Sequence, residues 1–183
     1  MLKRSFDIVA SLAGAVVSAP VVVPLAIMMA IDTRSNPFFL QERTGLNGNT
    51  FKIIKIKTMK DPSKFDAPVE DEQRTSKLGR FVRKTRMDEL PQFFNVLAGD
   101  MSIVGPRPCS SRNPLYQSKR RHQVKPGMTG LAQIAGMNAL SLEQVLDKDL
   151  EYIENIQKRS TVSAFLYDLS IVSKTPFAIA RHL

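Results

Sequence analysis

The chain has 183 residues and one cysteine, Cys109, so it is long enough for one domain with a core and has no internal disulfide. Its 26 basic and 17 acidic residues leave a net charge of +9, which suggests an anionic partner: nucleic acid, an anionic membrane or phosphorylated small molecules. There is no tryptophan, and Tyr116, Tyr152 and Tyr167 are scattered, so no basic–aromatic repeat suggests base stacking.

Lys3 and Arg4 precede 24 residues without a charge, Ile8 to Ile31. At about 1.5 Å per residue a straight helix of that length would cross a hydrocarbon layer of about 30 Å. The run contains Gly14, Ser18, Pro20 and Pro24, and Pro20 removes a helical hydrogen bond near its middle. A helix-break-helix that enters the membrane and returns by the same face is therefore expected, with the break at Ser18 and Pro20. Basic residues on both flanks favour this re-entrant form, because a single span would put one of them outside. A straight span, a signal peptide and a buried core helix are the rival readings.

Phe38–Arg43 and Phe51–Lys57 read as strands around a Thr44–Asn49 turn, a β-hairpin. Lys55 and Lys57 share one face of the second strand, which is either solvated or turned towards phosphate. Asp61–Gln73 is an acidic surface loop without metal-ligand spacing. Thr75–Arg86 is a basic helix with Leu78, Phe81 and Val82 inward, and it carries Arg83 towards the next segment.

That segment, Arg86-Met87-Asp88-Glu89-Leu90-Pro91-Gln92, holds two adjacent carboxylates where a helix begins. Pro91 fits a first helical turn, Phe93, Phe94, Val96 and Leu97 supply a buried face, and Gly99 ends the helix. A helix N-terminus favours anions, phosphate included. An ordinary helix cap has the same look. Met101–Val104 is a short strand leading to Gly105-Pro106-Arg107-Pro108, where two prolines hold one arginine. Carboxylates ringed by arginines suit phosphate chemistry, since a carboxylate attacks phosphorus or holds a metal and arginine clamps phosphate oxygens. Lys119, Arg120, Arg121, His122 and Lys125 form a basic cluster, which faces either anions or solvent. Ser141–Lys158 is an amphipathic helix with a capping signal at Ser141 and Gln144. Val162–Leu183 is apolar but interrupted, fitting helices in a membrane interface or a packed core element.

Several motifs together resemble the bacterial sugar transferases, small monotopic phosphoglycosyl transferases. They are Lys3-Arg4-Ser5-Phe6-Asp7, Gln41-Glu42-Arg43-Thr44-Gly45, Asp88-Glu89-Leu90-Pro91-Gln92, Asn95-Val96-Leu97, Val104-Gly105-Pro106-Arg107-Pro108 and Lys125-Pro126-Gly127-Met128-Thr129-Gly130. The resemblance implies a mostly helical α+β monotopic membrane protein: a re-entrant anchor over residues 1–34, then a cytoplasmic catalytic domain over 35–183 with a small β-hairpin and interfacial amphipathic helices. The short chain resembles the stand-alone catalytic form. The implied reaction moves a sugar-1-phosphate from a UDP-sugar to polyprenyl phosphate in the inner membrane, releasing UMP. Asp88 would be the nucleophile and Glu89 would act with Mg²⁺. Arg107, Arg83 and Lys57 would bind phosphate. Leu131 stands where many relatives carry tryptophan. The competing class is a membrane-attached scaffold without catalysis; nucleic acid is not expected as a partner. The donor sugar is not legible, although Cys109–Pro114 and Gly136–Leu140 are the loops expected to shape its site.

Overall fold

A computed structural model describes residues 2–61, 70–71, 73–109, 118–136 and 139–181. Most of the expected acidic loop therefore lies outside the described residues, as do residues 110–114 and 137–138 of the two donor loops. The architecture is mostly helical α+β, with a long apolar N-terminal helix and a small β-hairpin.

Helix α1 (Leu2–Thr33) spans 32 residues, about 48 Å at the usual rise. Asp7, Ser11, Leu25, Met29 and Thr33 are buried on one side, while Val9, Val16, Val17, Val23, Ile27 and Ile31 are exposed on the other. The helix runs without interruption through Pro20 and Pro24, which corrects the expected break. Both prolines are exposed, so their rings point away from the body. The helix is also held on either side of them. Gly14 lies so close to Phe93 that a Cβ there would sit 2.5 Å from the ring, and Leu25 and Met29 pack with Ile56 and Val82.

Polar contacts fix both ends of α1 to the same body. The Lys3 ammonium donates to the Val104 carbonyl at 3.0 Å and pairs with Asp168 at 2.5 Å. Arg4 donates to the carbonyls of Leu97 and of Val96, which also accepts from the Gly99 N–H. Asp7 accepts from the Ser102 hydroxyl and the Ile103 N–H, both at 2.9 Å. At the far end the Ser76 hydroxyl donates to Asp32 at 2.6 Å.

Strands β1 (Phe38–Thr44) and β2 (Thr50–Ile56) form the expected antiparallel hairpin, Phe38 opposite Ile56 and Thr44 opposite Thr50. Helix α2 (Lys77–Lys84) is capped by Ser76 and buries Val82, but Phe81 is exposed rather than inward. A 3-10 turn over Met87–Gln92 precedes α3 (Phe93–Ala98), and Gly99 ends α3 with a left-handed φ of 93°. Phe94 is exposed, so the buried side of α3 is carried by Val96 and Asn95.

β3 (Ser102–Val104) pairs in parallel with β4 (Gly127–Thr129), a strand that three residues between Pro126 and Gly130 do not reveal in sequence. The pairing needs glycine. A Cβ on Gly127 would come within 2.1 Å of the Gly105 nitrogen. After the short α4 (Leu131–Ile134), α5 (Leu142–Gln157) opens on the expected capping box of Ser141 and Gln144. α6 (Thr161–Ala180) is one helix that passes through Pro176, burying Asp168 and Ile171 and exposing Val162, Leu166 and Phe177. Tyr152 of α5 joins the Lys3–Asp168 pair, donating to Asp168 at 2.8 Å. The main core gathers Ile53 of β2, Val96 of α3, Met101, Ile103 and Val104 in and before β3, Tyr152 and Ile153 of α5 and Ile171 of α6.

Candidate active site

The carboxylates sit in the 3-10 turn upstream of α3, not in its first turn. Arg86 makes this possible. It takes a left-handed φ of 57°, which reverses the chain after α2, and its carbonyl accepts from the Glu89 N–H at 3.1 Å. A non-glycine residue in that region is strained and is held there by its surroundings. Asn95 then ties α3 to the open edge of β2: it accepts from the Ile54 N–H at 3.0 Å and donates to the Lys52 carbonyl at 2.8 Å. That tie sets Lys55 opposite Glu89.

Glu89 is ringed by cations. Lys55 donates to it at 2.9 Å, Arg107 pairs with it through both terminal nitrogens, and Arg86 lies 3.7 Å away. Arg43 lines the same cavity, beside Lys55, Glu89, Gln92 and Arg107. Burial, and then the neighbouring Arg107, hold the Arg43 guanidinium below its usual value. Burial would raise Glu89 too, but Arg107 and Lys55 outweigh it and pull the carboxyl down to about 2. Asp88 goes the other way: burial first and the Glu89 charge second push it up to about 6. Gln92 is buried here, and its Nε2 has no partner among the described residues.

Arg107 is positioned from behind. Its carbonyl accepts from Arg121 at 2.8 Å, and Arg121 pairs with Asp149 of α5 at 2.7 Å, both side chains almost wholly buried. The Pro106 carbonyl accepts from the Gly127 N–H at 2.9 Å, which fixes the proline–arginine–proline loop to β4. One member of the expected basic cluster is thus an internal strut, whereas Arg120 pairs with Glu154 at the surface.

Three lining cations, Arg43, Lys55 and Arg107, against the one carboxylate of Glu89 leave the cavity positive, so it suits a di- or triphosphate-type anion. Among the described residues no group of three or more His, Cys, Asp or Glu side chains has a metal-holding arrangement. The oxygen donors of Asp88 and Glu89 nevertheless fit Mg²⁺, which is commonly held by one or two carboxylates plus substrate phosphates.

A profile of the family described as bacterial sugar transferase matches residues 1–182. The chain belongs to that family. It is 40% identical over 179 residues to the sugar transferase EpsL of Bacillus subtilis (strain 168), covering 96% of this chain and 85% of that protein. It is 35% identical over 191 residues to a UDP-glucose:undecaprenyl-phosphate glucose-1-phosphate transferase of Escherichia coli (strain K12), covering 97% of this chain but only 40% of that one. A protein of the same name from Caulobacter vibrioides is 35% identical over 166 residues, covering 83% of this chain and 62% of its own length.

In this sugar transferase the structure brings Asp88, Glu89 and Arg107 together. It places Lys57 and Arg83 elsewhere: Lys57 pairs with Asp61 at 2.8 Å, and Arg83 donates to the Met59 sulfur at 3.2 Å. Lys55, Arg43, Gln92 and Asn95 are the site residues that sequence reasoning missed. Strand alternation marked Lys55 only as one of two equivalent lysines. Ser18 and Pro20 lie in the middle of α1, away from this cluster.

Proposed function

We propose that this sugar transferase moves a sugar-1-phosphate from a UDP-sugar to polyprenyl phosphate, with Asp88 as the nucleophile. The opposite displacement of the two carboxyl pKa values carries the reading, because neighbouring acids pushed apart mark different roles. Glu89 stays ionised and is committed to cations. Asp88 has no ion pair among the described residues and is ionised at neutral pH, so it is available to attack.

An Asp88 oxygen forms a bond to the phosphorus bearing the sugar. The bond from that phosphorus to the bridging oxygen breaks, and UMP leaves with the electron pair. A polyprenyl phosphate oxygen then attacks the same phosphorus, forming the lipid diphosphate sugar and freeing Asp88. Arg107, Lys55 and Arg43 hold the phosphoryl oxygens, and Glu89 keeps two of those cations in place. Glu89, together with substrate phosphates, would hold Mg²⁺, which would supply further charge neutralisation.

The exposed apolar side of α1 suits attachment to a membrane, and by length and composition α1 is long enough to cross one. Both its ends are nevertheless bonded to the catalytic body, which supports a monotopic protein held in the cytoplasmic leaflet. The test is UMP release by detergent-solubilised protein given Mg²⁺, undecaprenyl phosphate and a panel of UDP-sugars. Release with one donor, lost with EDTA and in Asp88→Asn, is expected. Release that survives Asp88→Asn would remove Asp88 from the role, and no release from folded protein with any donor would overturn the reading.

A further inference from the structure

A second cavity, lined by Arg86, Met128, Gln133, Ile134, Thr175 and Ile179, lies next to the charged one. Met128 lines both, and Arg86 of the second reaches Glu89 of the first. Thr175 is already paired with Thr129, hydroxyl to hydroxyl, at 2.7 Å. Gln133 is not. Both its Oε1 and its Nε2 are shielded from solvent, and neither has a partner among the described residues. Its oxygen is seated over Gly130, where a Cβ would come within 2.9 Å of it.

A buried carboxamide with both groups unpaired is costly, and such groups in folded proteins normally find partners. The missing partner has to present a donor beside an acceptor. It also has to rest against apolar walls, here Met128, Ile134 and Ile179. An isoprenoid tail satisfies the walls but leaves the carboxamide unpaired. Sugar hydroxyls satisfy the carboxamide but not the walls. A pyrimidine imide edge, an N–H flanked by carbonyls on a flat ring, satisfies both.

We propose that this cavity receives the uracil ring of the nucleotide donor, with uracil N3–H donating to Gln133 Oε1 and an adjacent uracil carbonyl accepting from Gln133 Nε2. The proposal rests on the transfer reaction proposed above and adds the residue that reads the base. Arg86 stands between the two cavities, where the diphosphate would meet the nucleoside.

Calorimetric titration of the purified, detergent-solubilised protein tests it, with UMP, 3-methyl-UMP and ribose 5-phosphate as probes. Wild type is expected to bind UMP at least tenfold more tightly than 3-methyl-UMP, whose imide donor is blocked. In Gln133→Leu the two are expected to bind alike, with ribose 5-phosphate affinity unchanged. The wild-type comparison needs no variant, so it stands even where Gln133→Leu fails to fold, and Gln133→Glu gives a second variant of similar size. Equal binding of UMP and 3-methyl-UMP by wild type, discrimination that survives in folded Gln133→Leu, or no UMP binding would each overturn the proposal. UMP release from a UDP-sugar, measured in parallel, separates the two readings: release without base discrimination removes only the uracil site, whereas neither release nor UMP binding removes both.

Discussion

Asp88 and Glu89 are neighbours in sequence with opposite ionisation, and this has opposite consequences for stability. An unfolded Asp88 loses its proton near 3.8, whereas the folded protein keeps it until about 6. Ionised Asp88 therefore costs stability as pH rises through that window, on the order of 1–2 kcal/mol for a partly exposed carboxylate. Asp88→Asn is expected to melt above wild type at pH 7.5, with the difference vanishing below pH 4; a difference that persists at pH 3.5 would count against this origin. The rate of UMP release is expected to rise tenfold per pH unit below about 6 and then level off, since only the carboxylate attacks. Glu89 has the reverse sign. Its pKa is lowered to about 2, so its stabilisation is complete above 4.5 and is lost only as pH falls through about 2. Glu89→Gln leaves Lys55 and Arg107 without their anion and is expected to cost on the order of 2–4 kcal/mol in urea unfolding at pH 7.

Single side chains that hold one element to another decide where the site groups stand. Arg121 joins α5 to the Arg107 carbonyl from a buried position, and Arg120, one residue earlier, meets Glu154 in solvent. Burial holds the Asp149 carboxyl above its usual value despite Arg121 beside it, so the pair has no charge to spare. Arg121→Met is expected to destabilise by about 3–5 kcal/mol and to slow transfer through the Arg107 loop, while Arg120→Ala changes unfolding by less than about 0.5 kcal/mol. Equal effects in urea titrations of the two variants would contradict the assigned difference in burial. Asn95→Ala removes two hydrogen bonds to the edge of β2, at about 1 kcal/mol each. It is expected to lower the maximal rate of UMP release as well, because Lys55 loses its register against Glu89.

Across the whole molecule the outward side of α1 is apolar, and Val162, Leu166 and Phe177 of α6 and Phe94 of α3 are exposed as well, though they come from distant parts of the chain. Exposed large apolar side chains in such number suit attachment to a membrane. Single-cysteine variants carrying Leu2→Cys or Asn36→Cys together with Cys109→Ala, one at each end of α1, test the attachment in intact cells and inverted vesicles. Impermeant maleimide is expected to reach both positions from the cytoplasmic side only. Labelling of one end from each side would establish a spanning helix instead.

The β-hairpin, the Ser141 capping box, the Gly99 stop and the adjacency of Asp88 to Glu89 were all legible in sequence, because each is set by neighbouring residues, the widest being the hairpin from Phe38 to Ile56 around its turn. Arg107 was legible as a candidate because its two prolines mark it. The partners were not. Lys55 is separated from Glu89 by 34 positions, Asn95 from Lys52 by 43, and Lys3 from Asp168 by 165. No local pattern encodes such separations; they follow from how the layers stack. The fate of α1 shows the same division. Composition established a long apolar element with two prolines, and helix propensity favoured a break between its halves. Packing at Gly14 and Met29, on either side of those prolines, decided that it stays one helix, because tertiary contacts along one face outweigh the hydrogen bonds that proline removes.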